Sequence, residues 1–388
     1  MRTKAFWDKR KGRLIFAVIL LVCAVFFAFM THISTNTLNT QQAASRWADR
    51  GFHQLSAFVP EHHGFTGDFH RDFSMAMEGS FAEQSLNTED AENAWTFAYH
   101  ADGGIIEARS LYRGPVDAYA FGIGGNFFFF YPVTLISGSY LPVQNANRDM
   151  VMIDEQLAWQ LFGATDVAGM ELVFHNRPYV ISGVFRHFDD RFSQAARLDL
   201  PQIFFYYDAL EHLVSRPAHI TTVKVVLPNP ITGLAEQLLT NTLESAGLDE
   251  GDYLLVNHTT RYRMLPLLRL VGDFGQRSMQ ETGMRLPPWE NAARMTEDFA
   301  TLYLLITLLL LFILFVMLCA FAVWAFQRRK WRAKDIVVAL DNQREKKREA
   351  VWRMNEERRE NIENKEAFTV EQILRESRES EENDEKDV

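Results

Sequence analysis

The sequence predicts a membrane protein with two transmembrane helices and an extracytoplasmic α+β domain, built of β-α-β units with an inserted β-rich lobe. Three observations predict it. Leu14 to Met30 is a run of 17 residues without a charge, and Phe299 to Phe326 is a run of 28 whose only polar members are Thr301, Tyr303 and Thr307. A hydrocarbon core about 30 Å thick takes roughly 20 helical residues, so the second run spans comfortably and the first spans with little tilt. The third observation is the long section between them, which is mostly polar and alternates strand-like with helix-like periodicities.

Orientation follows from the basic flanks, because Lys and Arg beside membrane segments are retained on the cytoplasmic side. Arg2, Lys4, Lys9, Arg10, Lys11 and Arg13 precede the first run, and Arg328, Arg329, Lys330, Arg332 and Lys334 follow the second, whereas residues 31–45 contain neither Lys nor Arg. Both termini are expected in the cytoplasm and the central domain outside the cell (plasma) membrane. The first run reads as an uncleaved anchor, since no A-x-A-like site follows it and it exceeds the usual signal-peptide core. The expected organisation is a cytoplasmic N-terminus (1–13), a first membrane helix (14–33), an outer domain with stalk helices (34–298), a second membrane helix (299–326), a charged cytoplasmic helix (327–364) and a disordered acidic tail (365–388).

Within the outer domain, Trp47, Phe52, Leu55 and Phe58 fall at helical spacing and predict that the first membrane helix continues outward as an amphipathic stalk over 45–59. Phe73, Met75 and Met77 alternate with smaller or polar neighbours as a half-buried strand does. Thr88 then offers an N-cap to a helix carrying Ala91, Ala94, Trp95 and Ala98 on one side, and Ile105 to Tyr112 completes a β-α-β unit. The alternation of Trp95, Phe97 and Tyr99 fits a strand equally well. Further on, Gln156 to Phe162 reads as a helix stopped by Gly163, and Met170 to Phe174 and Tyr179 to Phe185 as strands around a turn at 176–178. Thr221 to Leu227, Thr232 to Ala246 and Tyr253 to Val256 form a second strand-helix-strand unit. Leu265 to Val271 is either an interfacial helix or a lid beneath the domain.

Several chemistries find no support. Cys23 and Cys319 are the only cysteines and both sit in apolar runs, so the outer domain has no disulfide to use and no thiol nucleophile. There is neither a G-x-S-x-G block nor a G-x-x-x-x-G-K-[ST] loop, so no enzyme activity is expected and no cofactor. Glu61, His62, His63 and His70 are the densest set of metal-ligand types, but their spacing matches no helix-borne pair and reads as a polar loop. His187 with Asp189 and Asp190 reads as a solvated turn. The aromatic run Phe127 to Tyr131 reads as core. The net charge of −10 is concentrated in the acidic end, where Glu376, Glu379, Glu381, Glu382, Asp384, Glu385 and Asp387 lie together, so nucleic acid is not an expected partner and membrane lipid is.

One ordered set of motifs resembles a known family. Gly124-Gly125-Asn126-Phe127-Phe128, Leu135-Ile136-Ser137-Gly138, the block Val151 to Gly163, Val167-Ala168-Gly169 and Arg177 to Val184 are similar to the MacB-like periplasmic core domain of MacB/FtsX-type ABC transporter permeases. The resemblance covers about residues 46 to 265. Its motif residues Gly138, Glu155, Leu157, Ala158, Leu161, Phe162, Gly163, Gly169 and Gly183 maintain a fold and carry no chemistry.

The resemblance implies an outer domain that binds substrate or a partner protein, ATP handled by a separate ABC ATPase subunit, and another permease chain or a second copy as further partner. Permeases of this type carry four membrane helices and a cytoplasmic coupling helix. Arg332 to Asp341 resembles that coupling pattern, with Lys334, Asp335, Ile336, Ala339 and Leu340 as the partner-contacting positions. Equally, the basic stretch 327–334 reads as an anchor against anionic lipid. Where a third span would follow, Gln343 to Asn364 is a charged stretch with opposite-sign i,i+4 pairs such as Glu349 and Arg353. The expected function is a non-catalytic permease-like subunit, with a two-helix sensor or scaffold as the alternative.

Overall fold

A computed structural model describes residues 2–48, 50–84, 95–143, 148–279, 284–328 and 333–384. In chain order it contains α1 (Arg2–Asn36), α2 (Ala43–Trp47), β1 (Phe52–Phe58), α3 (Phe69–Glu83), β2 (Thr96–Ala108), β3 (Val116–Gly125), α4 (Phe127–Phe130), β4 (Thr134–Gly138) and β5 (Met150–Asp154). These are followed by α5 (Glu155–Phe162), β6 (Glu171–Phe174), β7 (Arg177–Arg186), α6 (Arg191–Ala195), β8 (Gln202–Tyr206), α7 (Tyr207–Glu211), β9 (Ile220–Pro228), α8 (Leu234–Ser245), β10 (Leu254–Asn257), α9 (Met264–Arg269), α10 (Pro288–Arg328) and α11 (Ala333–Asp384).

All ten strands join one sheet in the order β10-β1-β9-β2-β3-β8-β5-β7-β4, with β6 on β7. The first four strands form two interleaved strand-helix-strand units, β1-α3-β2 and β9-α8-β10. Because β9 lies antiparallel between β1 and β2, and β1 antiparallel between β9 and β10, the strands of each unit are parallel but never adjacent. This is the split β-α-β arrangement, and β3 to β8 are inserted between its halves. The insert extends the same sheet instead of forming one of its own, through the antiparallel pairing of β2 with β3, on whose other side β8 lies parallel.

Three expectations are corrected. The stretch 45–59 is not a helical stalk: α1 ends at Asn36, and β1 follows the short α2. Gly51 adopts a positive φ, and β1 is buried on both faces, so periodicity could not reveal it as a strand. Residues 69–77 are helix, because Phe69, Phe73, Met77 and Phe81 recur every four residues and face the core, while Met75 is exposed. Thr96 to Ala98 begin β2, as the alternation of Trp95, Phe97 and Tyr99 allowed; the proposed cap at Thr88 and the positions Ala91 and Ala94 lie outside the described residues.

The second unit, α5 and the β6–β7 hairpin occur where the sequence places them. The hairpin turns at His175 and Asn176, both at positive φ. Phe127, Phe130 and Tyr131 are buried, in keeping with the core reading of that run. Residues 365–384, expected to be disordered, are helical. No Gly or Pro interrupts α11, whose opposite charges favour continuation.

Candidate functional site

The first four strands have one face covered by helices and another that is buried yet polar. Register places Gln54 and Ser56 of β1, Thr222 and Lys224 of β9, and Thr96 and His100 of β2 on the same side. All six are buried. The outer end of α10 and the segment after β10 lie against this face, through Trp289 at His100 and Lys224 and through His258 at Ser56.

Arg261, just past β10, is the centre. Its guanidinium donates to both carboxylate oxygens of Glu290, at 3.1 and 3.0 Å, and its Nε donates to Glu297 Oε1 at 2.8 Å. Arg277 donates to Glu297 Oε2 at 2.8 Å and reaches Asp298 at 3.3 Å, and Arg294 approaches Glu290 at 3.5 Å, one helical turn away. Burial works against the Arg261 charge, but Glu290 and Glu297 outweigh it and hold its pKa well above the ordinary value. A bidentate Arg–carboxylate fork of this kind fixes angle as well as distance.

The same guanidinium reaches the turn that follows the first apolar helix. Arg261 donates to Gln41 Oε1 at 2.9 Å, only five residues beyond α1. Burial, reinforced by Arg261 and Lys224, drives the His258 pKa well below its ordinary value, so the imidazole is neutral. His258 Nδ1 contacts Gln41 Oε1 and lies 3.1 Å from Arg261 Nη1, while Nε2 and the Ser56 hydroxyl are hydrogen-bonded at 2.6 Å. Gln54 closes the joint by accepting from the Ala43 amide at 2.7 Å and donating to the Thr40 carbonyl at 2.8 Å. The sheet, the segment 40–43 that follows α1, and α10 are thereby tied by one continuous polar network.

Lys224 lies within it without a hydrogen-bond partner among the described residues. Its ammonium stands 5.7 Å from the Trp289 ring centroid, and burial lowers its pKa to about 8. Trp289 also packs edge-on against His100 at 4.8 Å, whose pKa burial depresses to about 3.

The family-motif residues lie elsewhere, in the inserted lobe. Asp154 caps α5, accepting from the Leu157 amide at 2.8 Å; it also accepts from the Gln202 amide at 3.0 Å and contacts His187 at 3.1 Å. His187 is thus tied to a buried carboxylate and not a solvated turn; Asp190 instead caps α6. Glu155 pairs bidentately with Arg186 at 2.7 and 2.8 Å, and this hydrogen bonding lowers its pKa. Leu157, Ala158 and Leu161 are buried, Phe162 packs against the core, and Gly163 ends the helix in the left-handed conformation. Gly138 faces Gly183 across β4 and β7, where a Cβ on Gly183 would come 2.5 Å from the Ser139 carbonyl oxygen. Gly169 donates to the Ile181 carbonyl at 2.8 Å.

Lys334, Asp335, Ile336, Ala339 and Leu340 all fall on α11, with Ala339 and Leu340 exposed. Glu61 to His63 form a short 3-10 turn, while the His70 ring packs at 4.9 Å from Phe97.

Sequence reasoning missed the ionic joint. Two signals pointed to it: Lys224 is a lone charge within the apolar strand 221–227, and Glu290, Arg294, Glu297 and Asp298 cluster at helical spacing just before the apolar run.

No family model matches the chain. The macrolide export ATP-binding/permease protein MacB of Neisseria meningitidis, from a serogroup A and a serogroup B strain, is 24% identical over 148 residues, which is 37% of this chain and 22% of that protein. Over those 148 residues the chain is similar to MacB. This chain therefore matches only about a fifth of the length of those MacB proteins. Among solved structures, the extracellular domain of the noncanonic ABC-type transporter YknZ from Gram-positive bacteria is 13% identical, with TM-score 0.37, covering 53% of this chain and all of that domain. The periplasmic region of MacB from Actinobacillus actinomycetemcomitans is 16% identical, with TM-score 0.37, covering 56% of this chain and 92% of that region. Two helices long and apolar enough to cross a membrane, Gly12–Asn36 and Pro288–Gln327, flank the α+β domain.

Proposed function

We propose that the chain is a non-catalytic, permease-like subunit of an ABC-type transport or mechanotransmission complex. The single observation that carries this reading is the buried joint around Arg261. It fastens the outer end of α10 and the exit of α1 to the same sheet. α10 is one unbroken helix from Pro288 to Arg328, about 60 Å at 1.5 Å per residue, or twice a hydrocarbon core. A tilt of the outer part of α10 is passed to the outer domain through Glu290 and Glu297, since charge-fixed contacts hold an angle where loops would not. In this reading both termini are cytoplasmic, ATP is handled by a separate ABC ATPase subunit that meets α11 near Ile336 and Leu340, and another permease chain or a second copy completes the membrane part. The outer domain engages substrate or a partner protein.

The test is capture of partners by the tagged full chain from its native membrane in mild detergent. An ATPase subunit is expected to co-purify, and to be lost with Ile336→Asp plus Leu340→Asp while the outer domain keeps its melting temperature. Purification of the intact chain with no ATPase bound, or with a signalling regulator in its place, overturns the proposal and favours a scaffold.

A further inference from the structure

The segment between β10 and α10 has two chemically opposite ends. At one end His258, Arg261 and Arg277 enter the ionic joint. Its other end is apolar and uncovered: Leu265 is 63% exposed, Val271 46% and Phe274 44%, with Leu268 and Leu270 half-buried beside them. Single exposed apolar residues are ordinary on protein surfaces. Here they crowd one tip, and contacts with α10 show where that tip lies.

The contacts form a depth scale. The Tyr262 hydroxyl donates to the Ala293 carbonyl at 3.4 Å, and the Leu267 carbonyl accepts from Thr301 at 3.3 Å. The chain then returns, with the Gly275 amide donating to Asp298 at 3.2 Å, Arg277 reaching Glu297 at 2.8 Å, and the Met279 amide donating to Asn291 at 3.0 Å. From Ala293 to Thr301 is about 12 Å along the helix, so the turning point sits at or below Thr301. Asp298 is the last charge before the uninterrupted apolar run begins at Phe299. Across from this level, the Phe27 ring of α1 lies 6.1 Å from Tyr303. The tip is therefore level with the first apolar turn of both spans, and its exposed side chains continue their lipid-facing surface.

We propose that the tip formed by α9 and the following turn, residues 264–274, is a membrane-docking element that inserts Leu265, Val271 and Phe274 into the outer leaflet. The occupant is lipid because the patch is continuous with the two spans. Arg263 and Arg269 are exposed at its margins, where lipid phosphates lie, against a single exposed acid, Asp273. Five points of support then hold the domain at the bilayer surface: two helices, and three anchoring side chains that resist tilting about them. The inference rests on the two-span reading and is independent of the ATPase proposal.

The experiment uses the full chain with Cys23→Ser and Cys319→Ser, reconstituted in phosphatidylcholine–phosphatidylglycerol vesicles at high lipid excess. A polarity-sensitive fluorophore is attached at Val271→Cys, Phe312→Cys within the second span, or Ile231→Cys in the outer domain, where Ile231 is 73% exposed. Expected for the Val271 probe are blue-shifted emission, at least threefold stronger quenching by lipid spin-labelled near the headgroup than at Ile231, and poor quenching by aqueous iodide. Quenching by iodide equal to that at Ile231, with the Phe312 probe still quenched by lipid, overturns the inference and leaves the spans standing. Failure at Phe312 overturns the spans themselves. Protection at Val271 that vanishes when protein is diluted in lipid assigns the patch to a second copy and equally overturns the inference.

Discussion

The two faces of the β10-β1-β9-β2 segment are both buried, but by opposite chemistry. One face presents Leu55 and Ala57, Val223, Val225 and Leu227, and Phe97 and Tyr99, and is covered by α3 and α8. Phe73 packs 5.1 Å from Phe97, and the two helices meet where Ser80 and Thr242 hydroxyls lie 3.0 Å apart. The other face presents Gln54, Ser56, His100, Thr222 and Lys224, and is covered by the outer end of a membrane helix. The apolar face uses non-directional burial, which accepts small shifts of its helices. The polar face uses hydrogen bonds and charge pairs that hold only at one angle. A domain needing only a lid on this side would do better with apolar residues, since replacing a buried ion pair by hydrophobic groups is often neutral or stabilising. The polar choice suits a joint that must transmit orientation.

The largest expected effect that sharpens this contrast is Arg261→Met. It takes the bidentate partner from Glu290, leaving Arg294 at 3.5 Å, and leaves Glu297 with Arg277 alone; removing this charge from a buried pair costs roughly 3–5 kcal/mol, read as a lowered melting temperature of the full chain in detergent. Adding Glu290→Gln and Glu297→Gln should recover much of that loss; no recovery would mean that shape and not charge holds the joint.

On the apolar face, Met77→Ala removes a fully buried side chain and costs roughly 2–5 kcal/mol through cavity formation, with no recovery available from altering charge. A melting temperature unchanged by this variant would contradict the packed core.

The smallest effect concerns Lys224 and has a sign set by pH. Its folded pKa of about 8 lies below its ordinary 10.5, so between these values the unfolded chain binds more protons than the fold, and stability rises with pH. Below pH 8 the buried ammonium imposes its full cost, about 3 kcal/mol at most by the size of the shift. Lys224→Met should therefore melt higher than the parent at pH 7, and the two should converge towards pH 10.5. A parallel offset at every pH would show that the amine is not the source.

Legibility in the sequence divided along physical lines. Elements bounded by strong local signals were readable: α5 between Asp154 and Gly163, the hairpin turning at His175 and Asn176, and β9 with its run of β-branched residues. β1 was not, because burial on both faces erases the period of two on which strand recognition depends. α3 was misread because three alternating residues were weighed above a longer fourfold spacing. The joint was not readable as one site because Gln41, Lys224, Arg261 and Glu290 are far apart in the chain, and the two local signals, Lys224 in its apolar strand and the charges before the second apolar run, do not name each other as partners.

Composition and order along the chain by themselves determined the two apolar runs, the basic residues that flank them, the ordered motifs similar to the MacB-like core, and the lack of a cysteine between the runs, since these are properties of contiguous stretches. Only tertiary structure decided that the strand-helix-strand units interleave, that the insert extends one sheet, and that the charges ahead of the second span turn inward to Arg261 and not outward to water. Those outcomes depend on which distant strands lie side by side, and pairing partners contribute nothing to local periodicity.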